Sequence, residues 1–172
     1  FNMASLWKLP VIYIIENNEY AMGTSVARSS ATTQLYRRGE AFGIEGKQVD
    51  GMDILAVQEA GKFAVDYVRS GKGPFILEMK TYRYRGHSMS DAQLYRTKEE
   101  VKEYQEQDPI LKVLATLQQN KWIDEKGIEE IEAKVKALVD ESVQFAEESP
   151  YPEADELFKD VYSEPNYPFI ID

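Results

Sequence analysis

Two apolar segments, residues 11–15 and 74–82, restrict the fold of this chain more than any other feature of its sequence. The first is an unbroken run of β-branched and aromatic side chains, the pattern of a strand buried on both faces of a parallel sheet. The second is also a strand candidate, and an amphipathic helix beginning near Asp53 is predicted between them. Residues 21–31, rich in Gly, Ser and Thr, are predicted to form a loop, and residues 49–53 a short extended piece that ends in a turn. Strand, helix and strand predict a βαβ unit with parallel strands and a right-handed crossover. The predicted fold class is therefore α/β.

A polar loop, residues 82–91 (YRYRGHSMSD), follows the second predicted strand. It holds two arginines, two serines and the single histidine of the chain. Guanidinium groups suit bidentate binding of phosphate, and histidine titrates near neutral pH. We therefore predict that Arg83, Arg85, His87 and Ser88 bind an anion such as a diphosphate. The alternative is a solvated basic loop in which the histidine has no special role.

Two asparagines, Asn17 and Asn18, follow the first predicted strand. Side-chain amide oxygens and backbone carbonyls at a strand end are hard ligands that suit Mg²⁺ in a diphosphate complex. From these residues alone the alternative, an ordinary Asx turn, is favoured, because asparagine is common at such positions. Ligands of open parallel sheets lie beyond the carboxyl ends of the strands, so the asparagines and the loop after the second strand are expected at the same edge.

The charge distribution separates the chain into two parts. The net charge is -10, which argues against a general nucleic-acid surface or a surface for anionic membranes. Residues 1–97 hold 12 Lys and Arg and 10 Asp and Glu, whereas residues 98–172 hold 8 and 20. We therefore predict that residues 98–172 form an acidic helical region.

The start of each helix in this region carries its own signal. Thr97–Glu100 is a capping-box pattern, and Asp108 followed by proline is typical of the first turn of a helix. Another helix is predicted from about Asp124. A short helix is predicted over residues 154–162, and an extended tail over residues 163–172.

Other compositional features narrow the possible classes of protein. Cysteine is absent, which excludes disulfides and thiolate chemistry in this chain. No apolar run approaches the roughly 18 residues that indicate a membrane span. The chain begins with Phe1 rather than Met, and we expect that an upstream portion of the polypeptide precedes it.

Several ordered blocks of sequence resemble one known family. They are residues 6–10 (LWKLP), 16–25 (ENNEYAMGTS), 49–53 (VDGMD), 81–91 (TYRYRGHSMSD) and 95–97 (YRT). Together they are similar to the family of pyruvate dehydrogenase alpha subunits, and the similarity extends over essentially the whole chain. The resemblance implies a thiamine-diphosphate-binding fold with a parallel sheet flanked by helices. Residues 1–97 would be the C-terminal part of that domain, and residues 98–172 a helical extension that packs on it and on partner subunits.

The resemblance also implies cofactors and site residues. The family uses thiamine diphosphate with Mg²⁺, and by the match Asn18 would bind the metal through its side chain and Tyr20 through its backbone carbonyl. His87 would be the catalytic residue at the active-site entrance near the diphosphate. Arg83 would help to bind the cofactor and to order the loop. Ser88 and Ser25 match inhibitory phosphorylation sites of mitochondrial relatives.

The implied activity is oxidative decarboxylation of pyruvate, with transfer of the acetyl group to the lipoyl group of the acyltransferase component. The implied partners are that acyltransferase and a beta subunit in an alpha2beta2 heterotetramer, in the bacterial cytoplasm or the mitochondrial matrix. Neither nucleic acid nor membrane is an implied partner. An alpha subunit of an acetoin or branched-chain 2-oxo acid dehydrogenase is the nearest enzymatic alternative. A non-catalytic assembly fragment is the alternative from another class.

The sequence departs from the family pattern at one point. The cofactor motif of the family begins with Gly-Asp-Gly, and no such tripeptide precedes Asn17. The aspartate of that motif is the anionic ligand of Mg²⁺. We therefore expect that this fragment alone is inactive and binds the cofactor weakly or not at all, and that residues 83–91 are mobile in it.

Overall fold

The computed structural model describes residues 1–160. This part of the chain divides into two compact units, of which the first is Phe1–Trp122 and the second begins at Ile123. The first unit contains the sheet and both segments that were predicted to bind ligand. The domain boundary predicted between residues 97 and 98 stays a prediction.

Strands and helices are mixed along the chain up to β5 (Phe75–Lys80), and only helices follow β5 in residues 1–160. In chain order they are α1 Asn2–Leu6, β1 Ile12–Asn17, β2 Tyr20–Ala21, β3 Thr24–Ser25, α2 Val26–Ser29, a 3₁₀ helix Leu35–Phe42, β4 Glu45–Asp50, α3 Ile54–Arg69, β5 Phe75–Lys80, α4 Lys98–Glu106, α5 Pro109–Gln119, α6 Glu125–Glu148 and a second 3₁₀ helix Ala154–Phe158.

The main sheet has three strands in the order β1-β5-β4, and both pairs are parallel. The two strands predicted from the apolar segments are therefore neighbours. Asn17 pairs with Lys80, and Asp50 pairs with the same residue from the other side. Three strand ends consequently lie at one carboxyl edge, as the sequence predicted for β1 and β5. A parallel sheet flanked by helices is confirmed.

Alternate side chains of β5 are buried against different helices. Phe75, Leu77 and Met79 form the hydrophobic core with α3, whose buried residues are Ala60, Ala64 and Val68. On the other face, Ile76 lies close to Gly39 in the first 3₁₀ helix. Since both faces are covered, the five residues from Phe75 to Met79 are all buried.

Two regions differ from the expectation. Residues 49–53 were predicted as a short extended piece, but β4 begins at Glu45. The sequence pattern missed this strand because Glu45, Lys47 and Gln48 are exposed at the edge of the sheet. The segment 21–31 is predicted to be a loop, but a short antiparallel hairpin, β2 and β3, runs from Tyr20 to Ser25 and is followed by α2.

The later helices begin where the sequence predicts, at Asp108 and at about Asp124. The Asp108 carboxylate accepts from the backbone N–H groups of Ile110 and Leu111 at 2.8 and 3.4 Å, and Pro109 occupies the first turn of α5. Asp124 caps α6 in the same way, through the Gly127 N–H at 2.8 Å. These contacts satisfy donors that a helix leaves without an internal partner.

The last predicted elements fall partly outside the described residues. A short helix was predicted over residues 154–162, and the structure has a 3₁₀ helix at Ala154–Phe158. The extended tail predicted for residues 163–172 lies outside the described residues. Within residues 1–160, no helix has the combination of length and apolar composition that a membrane span requires.

A pair of glycine substitutions tests the packing of the sheet. A Cβ on Gly39 would lie 2.5 Å from Cδ1 of Ile76 and 3.0 Å from the backbone oxygen of Ile44. We expect Gly39→Ala to lower the free energy of unfolding by about 1–3 kcal/mol, the usual cost of overpacking. Urea unfolding followed by circular dichroism measures this change.

The matched control is Gly61→Ala in α3, where a Cβ would meet no atom within 4 Å. We expect this change to stabilise the protein by roughly 0.5–1 kcal/mol, because alanine favours the helix interior over glycine. Equal unfolding midpoints for the two variants would show that the contact with Ile76 does not limit the volume at position 39.

Candidate functional site

The turn after β1 is fixed by a side chain from the central strand. The Asn17 side-chain amide is buried and donates from Nδ2 to Oε1 of Glu78 at 2.7 Å. Its Oδ1 accepts from the backbone N–H of Glu19 at 3.0 Å. Asn17 therefore faces the protein interior, and the next residue, Asn18, is the one that the turn presents at the edge of the sheet.

Asn18 forms the Asx turn that was the alternative to a metal ligand. Its Oδ1 accepts from the backbone N–H of Tyr20 at 3.0 Å. The side chain is only half-buried. An amide oxygen has two lone pairs, so one hydrogen bond leaves it able to bind a cation as well. The structure thus places Asn18 in an ordinary turn whose geometry is compatible with a ligand role.

An ion pair holds the middle of this turn. The Lys80 ammonium at the end of β5 pairs with the carboxylate of Glu19. Glu19 has a φ of 69°, a left-handed conformation that is uncommon for a residue with a side chain. Burial lowers the pKa of Lys80. The pairing helps to keep Glu19 in the conformation that brings Asn18 and Tyr20 together.

A single carboxylate joins the turn to the loop that follows β5. Oε1 of Glu100, in α4, accepts from the Tyr20 hydroxyl at 2.9 Å and from the Tyr82 hydroxyl at 2.7 Å. Burial raises the pKa of both tyrosines, and the hydrogen bond to Glu100 raises it further. The pKa of Tyr82 reaches about 12. The Tyr82 ring also stacks on Tyr104 with ring centroids 3.9 Å apart. The two predicted ligand-binding segments are therefore in contact.

Arg83 connects the loop to the hairpin of β2 and β3. Its Nη2 donates to the backbone oxygen of Met22 at 2.9 Å and to the Tyr95 hydroxyl at 3.1 Å, and its Nε donates to the backbone oxygen of Arg85 at 3.1 Å. These bonds connect the loop to the hairpin, and the role in ordering the loop that the resemblance implied for Arg83 stays a prediction. Its binding of a cofactor stays a prediction.

Arg96 binds the loop from its other end. Its guanidinium donates to three successive backbone oxygens, those of Arg83, Tyr84 and Arg85, the last two at 2.9 and 3.0 Å. The group also lies over the Tyr82 ring, 5.2 Å from its centroid. A planar guanidinium suits this combination of forked hydrogen bonding and stacking. Arg96 therefore fixes the start of the loop to the segment before α4.

Asp91 closes the tip of the loop. Its carboxylate accepts from the backbone N–H groups of His87 and Gln93 and from the Tyr95 hydroxyl, each at 2.8 Å. The hydrogen bonds from His87, then Gln93, then Tyr95 lower the pKa of Asp91 to about 2. A Cβ on Gly86 would lie 2.9 Å from the Asp91 backbone oxygen, so the closed loop needs glycine there.

The remaining predicted residues lie at different depths. The His87 side chain is exposed, and the Ser88 and Ser90 hydroxyls are 3.0 Å apart on the same exposed tip. Ser25 lies in β3, where it pairs with Tyr20. The structure therefore brings Ser25 next to the turn and leaves Ser88 beside His87. Mobility of residues 83–91 stays a prediction.

Three residues help to organise this edge although the sequence patterns did not indicate their roles: Glu78, Arg96 and Glu100. Glu78 offered a signal, because a carboxylate within an otherwise apolar strand requires a buried partner. Glu100 was assigned to a capping box with Thr97. The Thr97 hydroxyl does accept from the Glu100 N–H at 3.1 Å, but the Glu100 carboxylate bonds to the tyrosines instead. No local pattern indicates that contact.

The oxygen atoms at this edge suit one kind of metal complex. Within residues 1–160, no group of three or more His, Asp or Glu side chains is arranged to hold a metal ion. The turn offers the neutral oxygens of Asn18 and of the backbone. Neutral ligands suit a cation whose charge is balanced by other groups, such as Mg²⁺ bound to a diphosphate. The residues present therefore fit a metal–diphosphate complex better than a free cation.

The fold defines an α/β protein with a parallel sheet. The carboxyl ends of its strands carry a polar turn and an arginine-containing loop, and this edge is where ligands of such sheets usually bind. The family model described as "Dehydrogenase E1 component" matches residues 1–155. The chain belongs to this family.

Individual relatives agree with the family match. The chain is 56% identical over 162 residues to the "Pyruvate dehydrogenase E1 component subunit alpha" of Rickettsia felis, covering 94% of this chain and 50% of the relative. The protein of the same name from Rhizobium meliloti is 56% identical, covering 94% and 47%. The mitochondrial protein of Sminthopsis macroura is 48% identical over 165 residues, covering 95% and 45%. The chain thus spans about half the length of these curated relatives, and the predicted resemblance is confirmed.

The low pKa of Asp91 predicts how the loop responds to acid. Its folded pKa of about 2 lies below the ordinary 3.8, so its contribution to loop stability is complete above the ordinary value and is lost as the pH falls through about 2. We expect amide exchange protection across residues 83–96, corrected for intrinsic rates, to decrease over that interval. Hydrogen exchange with mass spectrometry measures it.

Two variants accompany this measurement. Asp91→Asn removes the titrating group, so its loop should be less protected at neutral pH and should lack the acid transition. Asp66→Asn, an exposed position in α3, should behave as the unmodified protein. Protection that stays constant from about pH 5 to about pH 2 in the unmodified protein would contradict the assignment.

Proposed function

We propose that the intact protein containing this chain is the alpha subunit of a pyruvate dehydrogenase, with a thiamine-diphosphate-binding fold. The observation that carries the proposal is the shared carboxylate of Glu100, which holds the turn after β1 and the loop after β5 together at the carboxyl edge of the sheet. Relatives that carry that name match 94% of this chain. The proposed reaction is oxidative decarboxylation of pyruvate with transfer of the acetyl group to a lipoyl group.

The residues of the edge have separate roles in this proposal. Asn18 would hold Mg²⁺ through its side-chain oxygen, and Tyr20 through its backbone carbonyl. Arg83 and His87 would hold the diphosphate. When bound, thiamine diphosphate supplies the carbanion chemistry, and the protein orients and shields it. His87 is the proposed catalytic residue: its backbone is fixed by Asp91, and its exposed imidazole is placed to exchange a hydrogen bond with an incoming group.

The proposed partners follow from the same family relationship. They are a beta subunit in an alpha2beta2 heterotetramer and a lipoyl-bearing acyltransferase. The relatives are bacterial proteins and one described as mitochondrial, so we propose the bacterial cytoplasm or the mitochondrial matrix as the compartment. Residues 1–97 would belong to the cofactor domain, with residues 98–172 as the extension toward partner subunits.

Ser88 and Ser25 are proposed phosphorylation sites. Ser88 is exposed on the loop tip beside His87, so a kinase has access to it there. A phosphate adds about -1.5 to -2 charge. At Ser88 that charge would lie close to the carboxylate of Asp91 and to the diphosphate of the cofactor, and repulsion would oppose the closed loop.

A second candidate function is assembly without catalysis. A cavity of about 460 Å³ lies between the start of α3 and α5, lined mainly by apolar residues that include Ile54, Leu55, Val113, Leu117 and Trp122. Ile54, Leu55 and Trp122 are each more than half exposed. This surface favours association of the fragment with another protein chain, and it is compatible with the first proposal for the intact subunit.

A substrate panel and one substitution test the proposed function. We expect the complete enzyme, with its beta subunit, to turn over pyruvate faster than acetoin or branched-chain 2-oxo acids. The rate is measured from the small molecule that each substrate releases and from acylation of the lipoyl group. Asn18→Ala should raise the dissociation constant for the Mg²⁺–thiamine diphosphate complex about tenfold or more, because a charge-assisted contact worth about 1.5–3 kcal/mol is lost. Asn120→Ala, at the end of α5, is the control and should bind normally. A clear preference for a branched-chain substrate would favour the alternative dehydrogenase.

The chain of residues 1–172, tested without a partner, should bind the cofactor weakly or not at all. The reason is the lack of the Gly-Asp-Gly aspartate, whose charge would balance that of Mg²⁺. Calorimetric titration with Mg²⁺ and thiamine diphosphate measures the affinity, and the complete subunit with its beta subunit is the positive control. Micromolar binding by the 172-residue chain would contradict this expectation.

A further inference from the structure

Glu78 is a fully buried carboxylate in the middle of the apolar central strand, with 0% of its surface exposed. A buried carboxylate is costly unless hydrogen-bond donors surround it. Glu78 has two: Asn17 Nδ2 at 2.7 Å and the backbone N–H of Tyr36 at 3.0 Å. Within residues 1–160, no buried side-chain nitrogen or oxygen lacks a partner. Glu78 therefore ties the end of β1 and the first 3₁₀ helix to β5.

The chemistry of a carboxylate gives this contact a direction. A carboxylate accepts hydrogen bonds and does not donate them, whereas the amide of Asn17 does both. The NH₂ group of Asn17 must therefore face Glu78, and its oxygen must face the turn. That oxygen accepts from the Glu19 N–H at 3.0 Å. Glu78 thus determines which way the Asn17 amide is oriented.

The orientation of Asn17 affects the residues that follow it. The bond to its oxygen helps to hold Glu19 at a φ of 69°. The next contact in the turn joins Asn18 Oδ1 to the Tyr20 N–H at 3.0 Å. If the amide reversed, its NH₂ group would face the Glu19 N–H, and two donors would oppose each other. The turn would then lose the contact that sets its shape.

We propose that Glu78 is a positioning residue for cofactor binding, which acts by locking the amide of Asn17 so that the turn presents Asn18 and Tyr20 correctly. This inference rests on the proposed function of the turn, and Glu78 itself does not touch the ligand. In Glu78→Gln, the added NH₂ group must oppose either the Asn17 NH₂ group or the Tyr36 N–H. The orientation of the Asn17 amide is then no longer fixed, while the side-chain volume at position 78 hardly changes. We refer to the fixed orientation of the Asn17 amide in the unmodified protein as the lock.

The first experiment uses the complete subunit assembled with its beta subunit. Glu78→Gln should raise the dissociation constant for the Mg²⁺–thiamine diphosphate complex about tenfold in calorimetric titration. In the cofactor-free protein, it should also speed hydrogen exchange of the peptide covering residues 16–22. Glu16→Gln is the matched control, since Glu16 is an exposed carboxylate directly before Asn17. It should change neither quantity.

A double variant, Asn17→Asp with Glu78→Gln, separates the lock from general destabilisation. The new amide at position 78 can donate to the new carboxylate at position 17 and accept from the Tyr36 N–H. The carboxylate at position 17 also accepts from the Glu19 N–H. All three hydrogen bonds are therefore restored, and only the one between positions 17 and 78 has its donor and acceptor exchanged. The net charge is unchanged, because the single carboxylate moves from position 78 to position 17. The double variant should therefore recover most of the cofactor affinity and the slow exchange.

The outcomes distinguish this inference from the proposed function. Normal cofactor affinity and normal exchange in Glu78→Gln would overturn the inference about Glu78 and leave the proposed function unaffected. A double variant that folds but recovers neither the affinity nor the slow exchange would have the same meaning. If the unmodified complete enzyme does not bind the cofactor, the proposed function itself fails. If Glu78→Gln does not fold and the double variant both folds and binds, the lock is supported.

Discussion

Burial of β5 on both faces is the constraint on which the rest of the first unit depends. Helix α3 covers one face and the first 3₁₀ helix the other, while β1 and β4 occupy its two sides. A strand in this position has no access to water, so any polar side chain on it must find its partners inside the protein. Glu78 is that side chain, and its partners are Asn17 and Tyr36, which lie in the two elements next to it.

The parts of the fold that could be predicted from the sequence carry their own signal. β1 and β5 are apolar runs, and α5 and α6 begin at the capping residues Asp108 and Asp124. β4 and the hairpin of β2 and β3 do not carry such a signal. β4 is extended because β5 offers it a complete ladder of hydrogen bonds, whatever its exposed side chains are. Pairing with the distant β5, and not local preference, determines β4, whereas β2 and β3 pair with each other across a tight turn.

The candidate site divides in the same way. The sequence placed the turn and the loop at one edge, because parallel strands end together. It did not reveal that Glu100 would join them, since the contact links Tyr20 to a residue 80 positions away. Arg83, for which anion binding stays a prediction, bonds in the folded chain mainly to backbone oxygens of its own protein. Composition identifies a guanidinium group but not the acceptor that it finds in the folded chain.

These internal contacts change what determines ligand binding at this edge. Lys80 is paired with Glu19, Asp91 accepts from two backbone N–H groups, and Arg83 holds the loop. Much of the charge that the sequence concentrates here is therefore used to build the edge. In the proposed site, neutral oxygens that bind a metal–diphosphate complex gain little from long-range attraction and depend on position. The direction of a single buried amide, set by Glu78, then matters more than the number of charges nearby.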